Sequence, residues 1–134
     1  MYLLDTNTIS YLQRGNTSIA HHIATKDSDE ITTCSHVIAE LYFGATIKKD
    51  NSKKLISYYD YIFSQIQVFS FDDDSAKVFA LKKSELRKKG CIIEDFDLLI
   101  ASVAISNSLI LVTNNTKHFD RISDLQVVDW MKPD

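Results

Sequence analysis

The sequence predicts a single α/β domain, a mainly parallel sheet covered by helices on both faces, and three observations carry that reading. Short apolar or β-branched runs alternate with segments of helical period along the whole chain. One run, Leu109 to Thr113 (LILVT), is a strand that reads as buried on both sides. The 134 residues contain no repeat, no low-complexity stretch and no linker, and that length suits one domain spanning residues 1–134.

Each element has a local reason. Tyr2-Leu3-Leu4 is an apolar run that ends on Asp5, and Thr6 to Arg14 reads as a short helix stopped by Gly15. Ser18 to Lys26 is a second short helix. Ile31-Thr32-Thr33-Cys34 is β-branched and reads as a strand, with Ser35 placed to cap the helix after it. That helix repeats Val37, Ile38, Leu41, Tyr42 and Ala45 at helical spacing. A helix over Ser52 to Gln65 and a strand over Val68 to Phe71 follow. Asp72 to Asp74 open a long helix to Lys89, where Gly90 is the expected C-terminal stop. Asp95 to Asn107 reads as a mostly buried helix, Thr116 to Ile122 as a short polar one, and Leu125 to Val128 as the last strand.

Composition narrows the function classes. Hydrophobic residues are 45% and charged residues 25%, with only three Gly and one Pro, which excludes a disordered, collagen-like or linker protein. No apolar run approaches the roughly 18 residues of a membrane span. Met1 to Leu4 is too short for a signal-peptide core, so nothing marks the chain for export and a cytoplasmic location is expected. Cys34 and Cys91 stand alone and read as reduced, packed thiols. A net charge of −3 excludes a globally basic nucleic-acid coat but leaves room for a local basic patch.

In a parallel sheet, ligands bind at the carboxyl ends of the strands. The first strand delivers Asp5 there, the helix after the second carries Glu40, and the strand LILVT leads through Thr113 to Asn115. Asp95 and Asp97 begin the preceding helix, but two positions along a helix point about 200° apart. Asp97 shares its face with Ile100, Ala101 and Ala104, so Asp97 is the expected ligand and Asp95 a cap or a group behind it. Asp5 could instead cap the next helix, although Thr6 could do that. Clustered carboxylates repel and lose hydration, and a hard cation held by oxygen removes the conflict. Mg²⁺ or Mn²⁺ fits better than zinc, because no His/Cys spacing accompanies the acids and His21, His22, His36 and His118 are scattered. Such an ion can activate water against a phosphodiester.

The segments LDTNT, SHVIAELYFGA, IEDFDLLIASVA and LVTNNTKHF, in this order, resemble a PIN-domain protein of the VapC type, the toxin of a type II toxin–antitoxin pair. The resemblance runs from Met1 to about Trp130. It implies a PIN-like three-layer sandwich with a five-stranded parallel sheet and Mg²⁺- or Mn²⁺-dependent endoribonuclease activity on structured RNA such as tRNA. It also implies a homodimer and a cognate VapB-like antitoxin. By the same resemblance, Asp5, Glu40 and Asp97 are metal-binding, with Thr6, Asn7 and Thr113 supporting them. Asn115 falls where many relatives carry a fourth acid; bringing no charge, it predicts one firm metal site and a weaker second. The alternative is a PIN-fold protein that binds RNA or a partner without cutting. Lys82, Lys83, Arg87, Lys88 and Lys89, then Lys117 and Arg121, are the candidate RNA contacts. Tyr11, Leu12 and the tyrosines at 58, 59 and 61 are the candidate partner surface.

Overall fold

The computed structural model describes residues 1–133. The elements run β1 (Tyr2–Leu4), α1 (Thr6–Gln13), α2 (Thr17–Ala24), β2 (Ile31–Cys34), α3 (Ser35–Thr46), α4 (Ser52–Gln65) and β3 (Gln67–Phe69). They continue as α5 (Asp73–Lys88), α6 (Asp95–Ser106), β4 (Ile110–Val112), α7 (Thr116–Phe119) and β5 (Val127–Val128). The strands form one five-stranded sheet in the order β3-β2-β1-β4-β5, with every neighbouring pair parallel. The α/β sandwich is therefore as expected, and the sheet is parallel throughout rather than mainly so.

The topology decides where a ligand can sit. From β1 the chain moves outward through β2 to β3, then crosses back to lay β4 on the other side of β1. Such a reversal opens a crevice at the carboxyl ends of the two strands beside it, here β1 and β4. The register aligns these ends, with Leu4 opposite Val112. Leu3, Leu4, Leu111 and Val112 are buried on both faces of the sheet, as are Thr32 and Thr33. The two threonines are satisfied inside it, because Thr32 Oγ1 donates to the Tyr2 carbonyl and Thr33 Oγ1 to that of Leu4.

Local chemistry sets the boundaries. Asp72 caps α5 by accepting from the Ser75 amide at 2.9 Å, and Gly90 leaves that helix with φ +69°, a conformation open to glycine. The expected cap Ser35 is instead the first residue of α3, where Cys34 holds the cap position, and its hydroxyl reaches the Phe69 carbonyl. The third strand is shifted towards the N-terminus from the expected Val68–Phe71. Its partner β2 ends at Cys34, opposite Phe69, so Ser70 and Phe71 have nothing to pair with.

Of the tyrosine-rich stretch in α4, Tyr59 is buried and stacks on Phe63, whereas Tyr61 faces solvent. Both cysteines are free, Cys34 in the core and Cys91 half-buried. Among the described residues, no helix is long and apolar enough to cross a membrane.

Candidate active site

Asp5 is fixed first by the backbone. Its amide continues the ladder by donating to the Val112 carbonyl at 3.1 Å, so the side chain emerges where β1 ends beside β4. Its Oδ1 accepts from the Thr8 amide at 2.9 Å, which makes Asp5 the N-cap of α1. The two readings of Asp5 are thus not exclusive: the cap bond holds the carboxylate, 7% exposed, against a pocket it also lines. The expectation that Thr6 could replace it as cap fails because the Thr6 hydroxyl is committed elsewhere, donating to Glu40 Oε1 at 2.7 Å. That bond ties the start of α1 to the second turn of α3.

The pocket, about 110 Å³, is lined by Asp5, Thr6, Asn7, Glu40, Asp97, Ile100, Asn115 and Phe119. Six sequence-predicted residues, Asp5, Thr6, Asn7, Glu40, Asp97 and Asn115, therefore meet in one place. Thr113 lies fully buried behind them; its hydroxyl bonds the Asp5 carboxylate and accepts from the Asn115 amide at 3.1 Å. Asp95 does not join them. It sits on the flank of α6 facing α5, in an exposed ion pair with Lys83 at 2.8 Å, and the cap position belongs to Glu94. The helical angle that brings Asp97 inward necessarily turns Asp95 away.

No lysine or arginine lines this pocket among the described residues, and the acids feel one another. Burial pushes the Asp5 carboxyl above its usual range, the Asp97 charge adds to this, and the Thr113 and Thr8 bonds oppose it. Glu40 is raised as well, mainly by burial, then by Asp97, Asp5 and Glu94, against the Thr6 hydrogen bond. Among the described residues no three His, Cys, Asp or Glu side chains converge tightly enough to enclose an ion unaided. The donors instead ring an open, wettable space. Oxygen donors with excess negative charge around such a space suit a hard cation that keeps part of its water shell.

One participant escaped the sequence reading. His118 Nε2 lies 3.1 Å from Asp97 Oδ2, and Arg121 Nη2 approaches His118 Nδ1 at 2.9 Å. Arginine can only donate, so Nδ1 accepts and Nε2 carries the proton directed at Asp97. The signal was available: α7 starts just past Asn115, and a residue three places on along a helix lies over the same face. We expect His118→Ala to cost about 10- to 100-fold in divalent-ion affinity or activity, and His118→Gln to recover part of it. Ion affinity read by thermal shift and unchanged in His118→Ala would make the contact incidental. His36 stays outside this network. Its ring packs edge-on against Phe71 and Phe96, its Nδ1 has no hydrogen-bond partner among the described residues, and burial pushes its pKa down, favouring the neutral ring.

The basic candidates divide. Lys82 is not a surface contact at all: it is buried, with Nζ 2.6 Å from Asp124 and 2.8 Å from the Ser123 hydroxyl. Lys83 is engaged by Asp95 and Arg121 by His118, while Arg87, Lys88, Lys89 and Lys117 are exposed.

A parallel sheet of this order with an acidic pocket at the β1/β4 ends is the architecture of a PIN domain, and the PIN domain family model matches residues 2–125. Ribonuclease VapC2 of Rickettsia felis is 34% identical over 137 residues, covering 98% of this chain and 99% of that protein. The tRNA(fMet)-specific endonuclease VapC of Shigella flexneri is 28% identical, covering 96% of this chain and 97% of its own. The crystal structure of VapBC2 from Rickettsia felis bound to a DNA fragment from its promoter superposes with a TM-score of 0.87 at 33% identity, over 96% of this chain and 98% of that one. The chain belongs to the VapC family of PIN-domain proteins.

Proposed function

We propose that this chain is a Mg²⁺- or Mn²⁺-dependent endoribonuclease, the toxin of a VapBC-type pair, acting in the cytoplasm on tRNA or another structured RNA. The observation that carries the reading is the meeting of Asp5, Glu40 and Asp97 around one pocket without a lysine or arginine among the described residues lining it. Asp5 and Asp97 would hold the cation with Asn115 as a neutral donor, directly or through water. When bound, the ion neutralises the carboxylates and supplies electrophilic assistance to the scissile phosphate.

Glu40 has the character of a base. Its burial raises its proton affinity, and the Thr6 hydroxyl fixes Oε1 at the pocket wall. It takes a proton from water as the water oxygen bonds phosphorus. The bond from phosphorus to the 3′-oxygen breaks, and the leaving oxygen is protonated from solvent. The products are a 5′-phosphate and a 3′-hydroxyl.

Purified protein incubated with total RNA should generate new 5′-phosphate ends with Mg²⁺ or Mn²⁺ and none in EDTA. Cleavage that persists in EDTA would refute the metal-dependent mechanism; binding of RNA without any cutting would favour the non-cleaving alternative. The ion should also stabilise the fold. At ten times its Kd it contributes about 1.4 kcal/mol, a rise of roughly 4 °C in Tm.

The rest of the assembly is part of the same proposal: a homodimer neutralised by a VapB-like antitoxin. Tyr11 and Leu12, expected at that surface, are half-buried, packed on the core from its outer side. Phe43 on α3, Ile47 at its C-cap and Tyr61 on α4, each about two-thirds exposed, are among the apolar side chains a protein partner would cover.

A further inference from the structure

The acidic pocket has an extension. A second cleft of about 310 Å³ shares Thr6, Asn7 and Glu40 with it and runs between α1 and α3 to Arg14 and Lys48. Beyond it a third depression shares Gln13, Lys48 and Leu55 and adds Lys54 and Tyr58. The lining thus changes from carboxylates at one end to three cations at the other, Arg14, Lys48 and Lys54, all exposed. Arg14 is held in place, with Nη2 donating to Ser10 Oγ at 2.9 Å and the guanidinium over the Tyr11 ring.

Gly44 indicates that the cleft is kept open. It lies inside α3, where glycine costs up to about 1 kcal/mol relative to alanine. No close approach requires it: a Cβ built there meets nothing within 4 Å, and its φ is not positive. What Gly44 does is line the cleft. Any larger side chain at 44 would project into that space.

Resting on the ribonuclease reading, we infer that this cleft carries a single-stranded RNA segment flanking the scissile phosphate, with Arg14 and Lys48, then Lys54, neutralising successive phosphates. A substrate cut within a chain must leave the pocket on both sides, and this is a groove continuous with it. Thr6 to Arg14 spans about 12 Å along α1, room for roughly three phosphates at stacked spacing. Tyr58 offers an aromatic edge at its far end, on which an unpaired base of a single strand can stack.

The test uses a labelled, unstructured RNA and the Asp97→Asn protein, in which cutting is suppressed. Adding Gly44→Leu should weaken binding at least about tenfold with no loss of Tm. Adding Arg14→Ala with Lys48→Ala should weaken it and make the slope of log K against log salt shallower by about 1.4, two phosphate contacts at 0.7 each. Binding unchanged by these substitutions, or absent before they are made, overturns the cleft assignment. A polyglutamate peptide that binds the same cleft more tightly than RNA also overturns it, assigning the groove to an acidic polypeptide. Loss of binding by Gly44→Leu, with no cutting by the unaltered protein plus Mg²⁺, would instead refute the nuclease reading and leave the cleft standing.

Discussion

Asp5→Asn should inactivate the protein and make it more stable. Cleavage with Mg²⁺ is expected to fall by about three orders of magnitude, because the loss removes a charge from the group that would hold the ion. Stability should move the other way. Asparagine is as good an N-cap as aspartate, so the bond from the Thr8 amide survives, and the Thr113 hydroxyl can turn from donor to acceptor. What disappears is a buried carboxylate whose pKa stands above its ordinary value of 3.8.

The sign follows from proton binding. The folded chain holds the Asp5 proton more tightly than the unfolded chain, so stability is greatest below about 3.8 and declines as pH rises through the folded value. Without metal the penalty is present at neutral pH, which lies well above the unfolded value. Asp5→Asn should therefore gain about 0.5–2 kcal/mol in EDTA at pH 7, with the difference closing in acid and narrowing when divalent ion is added to the unaltered protein. Asp5→Ala separates the effects, since it sheds the charge but forfeits the cap at about 1 kcal/mol. Denaturant melts across pH would read both, and an Asp5→Asn protein less stable than the original at pH 7 would show that the site is not electrostatically strained. Full activity in that variant would remove Asp5 from the chemistry.

The second large effect lies at the other end of the chain. Trp130 is buried, packs 4.9 Å from the Tyr2 ring, stacks nearly parallel on His22 at 5.5 Å, and lies under Lys26 Nζ. Its carbonyl also accepts from Ser18 Oγ at 2.8 Å. One side chain thus joins the segment after β5 to α2 and to β1. Trp130→Ala should cost about 3–5 kcal/mol, a drop of roughly 10–15 °C in Tm, and Trp130→Phe much less. Urea unfolding followed by circular dichroism provides the measurement. A loss below about 1 kcal/mol would mean that this segment contributes little to the fold.

The fold was legible because its signals are local. Alternation of β-branched runs with helical periods places the five strands and seven α-helices of the described residues to within a few positions, though not the 3-10 turn Ser28–Glu30, and the glycine and aspartate stops fall where expected. The strand register was not, since β3 ends where β2 stops offering partners and no local signal at Ser70 says so. In the site, helical angle separates Asp97 from Asp95, and the ion pair of Asp95 with Lys83 agrees. His118 and Lys82 were misjudged for one reason. Whether a basic side chain faces water, an acid or a neighbouring helix depends on segments dozens of residues away, as Asp97 is from His118 and Asp124 from Lys82.

The order of the strands also determines when danger begins. Asp5 emerges early in synthesis, but the wall that completes its pocket needs β4 docked beside β1, and β4 is made only after residue 109. A nascent chain shorter than that lacks the β4 side of the crevice and cannot close it on RNA. A ribosome making this polypeptide therefore works beside an unarmed product until the codons beyond residue 109 have been read.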